Sequence, residues 1–218
     1  MKKILFNDRY GLTQAVLEGR KTQTRRIIPA RIINYADTTC FLTFDKKPLS
    51  EEQKDYKCYE TCDGDYVDIR NFAAYQVGDE VAIAQSYKEA GIDAKSYNVE
   101  KVKALGTYHP AHVRFDCTVG WNNKMFVRAD LMLHRIKITN VRVERMQDIS
   151  DEDCLKEGVK ASNAVKGYWY VMCSTKSNNK IRRETARMAY ADLIDATCGR
   201  GTWAHNPWVF VYDFELVK

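Results

Sequence analysis

The first apolar run of the chain, Lys2 to Phe6, is short and turns polar at Asn7, which predicts an opening strand. From about Arg9 to Glu18, Leu12, Ala15, Val16 and Leu17 recur on one side of a helix, and Gly19 stands where that helix would stop. The stretch from Pro29 to Tyr75 is polar and reads as an insertion or decorated loop ending in a hairpin around Asp63-Gly64. Val77-Gly78-Asp79-Glu80 then forms a turn into a strand, Val81 to Ser86, where the core resumes. Between Glu89 and Trp121 the pattern is mixed, and no element is assigned.

Apolar signal returns at Lys124 to Val127 and strengthens over His134 to Met146. There Ile136, Ile138, Val141 and Val143 predict a long strand, bent or bulged near Thr139-Asn140. Ser150 has the character of a helix N-cap, with Asp151, Glu152 and Asp153 filling the electropositive first turn and Gly158 as the stop. A second helix is predicted from about Arg182 to Asp195, where Ala186, Ala189, Tyr190, Leu193 and Ile194 keep helical spacing. Pro207 to Val217 closes the chain as an alternating strand with Trp208, Phe210, Tyr212, Phe214 and Leu216 on one face.

Strands outnumber helices, no join reads as a regular strand–helix–strand crossover, and both ends are strands. The expected class is therefore α+β, a small mixed β-barrel flanked by helices, forming one domain over residues 1–218. Within it, about 30–75 is the expected insertion and about 90–122 is unplaced.

The 218 residues are 45% hydrophobic and 29% charged, which is ordinary globular material. No apolar run approaches the ~20 residues of a membrane-spanning helix, and the first strand turns polar too soon for a signal peptide, so a cytoplasmic protein is expected. The net charge of +5 permits nucleic-acid binding without requiring it. Seven scattered cysteines (40, 58, 62, 117, 154, 173 and 198) are expected as free thiols. Cys58 and Cys62 with His109 and His112 have the residue types of a zinc site. The hairpin turn expected beside Cys62 and the remoteness of the histidines favour half-buried strand cysteines and surface histidines, and no metal or cofactor is expected.

Signatures for dinucleotide binding, a phosphate loop, a nucleophile elbow or a zinc protease are missing. What stands out is Gly19-Arg20-Lys21-Thr22-Gln23-Thr24-Arg25-Arg26, a run with no apolar side chain, which predicts a corner outside the core. A lysine crowded by Arg20, Arg25 and Arg26 either grips an anion such as phosphate or gives up its proton readily enough to serve as a base. Trp169 and Trp203 are the aromatics expected to be exposed, as platforms for a stacked base. Lys180, Arg182, Arg183 and Arg187 form a second basic stretch, read as a solvated helix face.

This basic run, with Val77-Gly78-Asp79-Glu80, Val141 to Ile149 and Asn206-Pro207-Trp208-Val209-Phe210, resembles an ASCH domain of the PUA-like superfamily. The overall pattern is closest to the longer phage and mobile-element members, and the likeness leaves about Ile32 to Tyr75 and Ile92 to Asn122 unmatched. The resemblance implies a barrel with a cleft for RNA or modified nucleosides. It also implies, from small members that hydrolyse N(4)-acetylcytidine, a nucleophilic Thr24, a basic Lys21 and a carboxylate at Glu157, with Glu152 of the same helix as the competing position. Arg20, Arg25 and Arg26 then hold phosphate or lower the lysine's pKa, and Arg25 or Arg26 can stabilise an oxyanion. The first reading is a nucleic-acid or nucleotide-binding protein. The alternatives are an amidohydrolase acting on N(4)-acylated cytosine, a ribonuclease, or a structural phage protein.

Overall fold

In the computed structural model, residues 1–30, 32, 58–60, 66–91, 120–162, 166–170 and 182–217 are described. The candidate zinc residues Cys62, His109 and His112, the Asp63-Gly64 turn, Lys180 and most of both unmatched segments lie outside them. The architecture is α+β. Five strands, β1 (Lys2–Ile4), β2 (Gln23–Ile27), β5 (Glu80–Ile83), β6 (Arg135–Arg145) and β9 (Trp208–Val217), form a mixed sheet in the order β1-β5-β6-β9-β2. Only β1 and β5 run parallel. Two small hairpins accompany it: β3 (Cys58–Glu60) with β4 (Tyr66–Asp68), and β7 (Lys160–Ala161) with β8 (Trp169–Tyr170). The helices are α1 (Leu12–Leu17), α2 (Asp151–Lys156), α3 (Ala186–Cys198) and the short α4 (Thr202–His205).

The expected barrel closure is not present among the described residues: the edge strands β1 and β2 do not pair, and the sheet is open between them. The sheet nevertheless curls, because the Arg26 guanidinium on β2 donates to the carbonyl of Leu5, just beyond β1, at 2.6 Å. Strand β6 carries the expected irregularity, with its register against β9 shifting between Ile138 and Asn140.

Strand β9 departs from simple alternation. Trp208 to Tyr212 are all buried, because β9 is flanked by β6 and β2 and carries packed residues on both faces over this half. The first helix also differs from expectation. A 3₁₀ turn over Asp8–Tyr10 comes first, and Gly11, at φ 64°, separates it from α1. Helix α2 starts as its sequence implies, with the Ser150 hydroxyl accepting from the Asp153 amide at 3.1 Å. Helix α3 begins at Ala186 rather than Arg182, since Thr185 caps it by accepting from the Met188 amide at 3.1 Å.

The main core packs the inner face of the sheet against α1, α2 and α3 through Ile4, Val16, Ile136, Ile138, Cys154, Tyr190 and Phe214. A smaller cluster of Ala82, Ala84, Tyr87, Val127 and Met132 fastens residues 127–132 to β5. No helix among the described residues is long and apolar enough to cross a membrane.

Gly158, just after α2, joins these elements to the site. Its φ of 106° is left-handed, and a Cβ there would lie 3.2 Å from Leu12 Cδ2 and 3.8 Å from Lys21 Cδ. We therefore expect Gly158→Ala to lower stability by about 1–3 kcal/mol in urea unfolding. Wild-type stability in this variant would show that the backbone conformation at 158 is not constrained.

Candidate functional site

The basic run does not stay outside the core. After Gly19 (φ 70°) closes the turn that follows α1, the chain enters the sheet as β2, and Lys21, Gln23, Thr24 and Arg25 are all buried. This corrects the expectation of a solvent-facing corner. Charge burial on this scale requires partners, and three carboxylates from two other elements, α2 with its C-terminal end and β6, supply them.

The tie begins in the backbone. The last carbonyls of α2 lack intrahelical partners. Lys156 O accepts from the Thr22 amide at 3.0 Å, and Glu157 O accepts from Lys21 Nζ at 2.9 Å. The same ammonium donates to Glu157 Oε2 at 2.6 Å and to Gln23 O at 2.7 Å. Three donors thus meet three acceptors, in a site where the lysine and glutamate side chains are 2% and 4% exposed. Lys21 and Glu157, 136 positions apart in sequence, form one unit.

Arg25 organises the layer behind them. Its Nη1 donates to Gln23 Oε1 and to Glu157 Oε1 (3.4 Å), and its Nη2 donates to Glu144 Oε2 (3.0 Å) and Asp153 Oδ2 (3.2 Å). Gln23 passes the network to Asp213, its register partner on β9, through Nε2 at 2.7 Å. Arg142 lies 3.0 Å from Glu144, 3.6 Å from Asp153 and 3.4 Å from Asp213. Every cation in this layer therefore faces at least one carboxylate.

Burial is the largest influence on Lys21 and draws its pKa below the ordinary lysine value, against the opposing pull of Glu157. The charges of Arg26 and Arg25 act in the same direction as burial with smaller effect. For Arg25, burial works against the charge, but Glu157 and the other neighbours prevail and raise its pKa. Burial alone pushes the Asp153 carboxyl up, yet hydrogen bonds from Lys156 and Arg25 outweigh it and hold the group below the usual aspartate value. The Tyr190 phenol is driven well up, by burial first and by the Glu157 charge second. The buried Cys154 thiol is pushed up to about 12 by burial, so it is not a thiolate nucleophile.

Lys21, Thr24, Arg25 and Glu157 line a cavity of about 510 Å³, together with Phe6, Leu12, Tyr190, Leu193 and Ile194. Among the described residues, the Thr24 hydroxyl makes no hydrogen bond. Of the two candidate carboxylates, the structure brings Glu157 into the cavity and leaves Glu152 exposed on α2.

The other sequence-derived residues divide. Arg26 is exposed and lines the cavity. Arg20 turns away to Glu18, with Nε donating at 2.6 Å. Trp203 is half-buried, set edge-on to Tyr190 at 6.1 Å and covered by the Arg187 guanidinium at 5.5 Å. Trp169 is half-buried, and its backbone pairs with that of Arg183. Neither tryptophan lines the cavity. Arg183 is committed to Asp192 at 2.5 Å. Among the described residues, no group of three or more His, Cys, Asp or Glu side chains could hold a metal ion.

Sequence reasoning missed the roles of Gln23, Glu144, Asp153 and Tyr190. Asp153 carries a visible signal only as a helix-start residue, and nothing local marks Glu144 as a partner of Arg25. No family model, curated protein or solved structure matches this chain.

Replacing Glu157 by Leu leaves a buried ammonium with carbonyl acceptors only, and we expect a loss of about 3–5 kcal/mol in denaturant unfolding. Adding Lys21→Met to that variant is expected to recover part of the loss, because the uncompensated charge is removed as well. Equal instability of the single and double variants would mean that the two residues are not coupled. Because Asp153 binds its proton less readily in the folded state, its contribution is present above the ordinary aspartate pKa and lost as pH falls through the lower folded one. Asp153→Asn should accordingly flatten the acid limb of the stability profile below about pH 4.

Proposed function

We propose that this chain is an amidohydrolase of the ASCH type that removes an acyl group from the exocyclic amine of an N(4)-acylated cytosine base. One observation carries the reading: Thr24, Lys21 and Glu157 line the same cavity, with Lys21 Nζ 2.6 Å from Glu157 Oε2. A volume near 510 Å³ suits a nucleoside-sized ligand. The curled sheet, with Arg26 reaching Leu5 across its open side, supports the PUA-like barrel as its architecture.

The chemistry follows from the placement of the groups. Thr24 Oγ1 attacks the acyl carbonyl carbon, and its proton passes to the neutral form of Lys21, which burial favours. Glu157 accepts a hydrogen bond from Lys21 and fixes its direction. As the amide C–N bond breaks, Lys21 returns the proton to the departing exocyclic amine. Water then hydrolyses the threonyl ester, releasing the carboxylic acid and restoring the hydroxyl. Arg25, held by three carboxylates, positions Glu157 from behind.

A second reading, a cavity that binds a nucleotide or RNA without turnover, is favoured by the three acceptors around Lys21 Nζ, which satisfy a protonated ammonium completely. Incubation with N(4)-acetylcytidine followed by chromatography separates the two readings. The hydrolase reading expects cytidine and acetate, with turnover reduced at least about 10³-fold in Thr24→Val and in Lys21→Met. Glu152→Gln, on the exposed side of α2, is expected to turn over substrate at the wild-type rate. Undiminished turnover in Thr24→Val would overturn the mechanism, and binding without turnover would leave the second reading.

A further inference from the structure

The cavity has two chemically different ends. Its floor is lined by the buried Lys21, Arg25 and Glu157, with apolar walls from Phe6, Tyr190 and Leu193, and behind the wall Arg25 also pairs with the half-buried Glu144 and with Asp153. Its mouth consists of exposed or partly exposed residues. There the one carboxylate, Asp8, is already committed: Oδ2 lies 2.5 Å from Lys124 Nζ, and Oδ1 accepts from the Thr13 hydroxyl. That pairing leaves Arg9 and Arg26 as cations with no carboxylate partner among the described residues. Arg26 uses Nη2 on Leu5 O, and the Arg9 guanidinium lies 5.8 Å from the centre of the Tyr10 ring.

Two asparagines extend this imbalance. Asn7 Oδ1 accepts from the Arg9 amide and Asn123 Oδ1 from the Met125 amide, each at 3.0 Å. A backbone N–H requires an oxygen opposite it, so both side chains must direct their NH₂ groups elsewhere. Among the described residues those NH₂ groups have no acceptor. The mouth thus offers two guanidinium groups and two amide donors, with its single carboxylate occupied. Donors in excess around an opening match a group that is anionic and rich in acceptors.

We infer that the site takes a phosphorylated ligand, a nucleoside monophosphate, with the base and its acyl group on the neutral floor and the phosphate at the mouth between Arg9 and Arg26. The inference rests on reading the floor as a nucleoside site. Among the described residues a mononucleotide fits better than a strand, because the other arginines near the site do not extend the pair into a track. Arg20 and Arg183 are bound to acidic neighbours, and Arg187 is stacked on Trp203.

Calorimetric titration of the full chain with cytidine 5′-monophosphate and with cytidine tests this without needing turnover. The monophosphate is expected to bind at least about tenfold more tightly, and Arg9→Ala and Arg26→Ala are each expected to remove about tenfold of that preference. Arg9→Lys, which keeps the charge but loses the planar fork, should recover part of it. In kinetics, the ratio of kcat/KM for N(4)-acetylcytidine 5′-monophosphate to that for N(4)-acetylcytidine should exceed about ten and fall toward one in Arg9→Ala. Arginine-dependent preference for the monophosphate in a protein that hydrolyses neither compound would support this inference while rejecting the hydrolase. Hydrolysis of both compounds with equal kcat/KM and equal binding would overturn it and leave the hydrolase standing. A single-stranded RNA that binds far more tightly than the monophosphate, and equally well to Arg9→Ala, would also overturn it.

Discussion

Strand β2 can enter the sheet only because Lys21 and Arg25 find carboxylates waiting for them, and the rest of the site depends on that match. An isolated buried ammonium or guanidinium costs several kcal/mol, so a segment this rich in cations would otherwise remain in water. Glu157 brings the end of α2, Glu144 the long strand β6, and Asp153 the first turn of α2. Each carboxylate arrives from a different position in the chain. The ion pairs therefore locate β2, α2 and β6 relative to one another more narrowly than apolar packing would, since hydrogen bonds impose direction and distance.

The same burial shapes the reactivity of the site. Removal from water favours neutral Lys21, while Glu157 favours the charged form, and burial is the larger influence. Thr24 lines the same cavity as this pair. Arg25 pairs with three carboxylates through its two Nη atoms, and so ties β2 to α2 and β6. Away from this layer the balance changes, and at the cavity mouth Arg9 and Arg26 have no carboxylate partner among the described residues.

Much of the framework was legible locally. The bulge after Ile138 follows from the break in alternation at Thr139-Asn140, and the Ser150 cap follows from a hydroxyl placed before three acids. Gly19 and Gly158 mark the two chain reversals that bring Lys21 and Glu157 into reach. The misreadings have equally specific causes. The apolar periodicity carries a helix through Gly11, whereas its left-handed conformation ends one turn and begins another. Trp169 and Trp203 carry the residue type of a stacking platform, yet backbone pairing and a ring contact hold them in the scaffold.

By itself the sequence determined the five main strands and three longer helices in their order, the Ser150 cap and the concentration of chemistry at residues 20–26, because periodicity and capping act over a few neighbouring residues. It could not show that this cationic run is buried, since the cost of burial is decided by distant carboxylates. Only the tertiary structure brought Glu157 and not Glu152 to the cavity, committed Arg20 to Glu18 and Arg25 to the interior, and left Arg9 and Arg26 without an acidic partner among the described residues. Charge pairing depends on separation in space, and separation along the chain gives no measure of it.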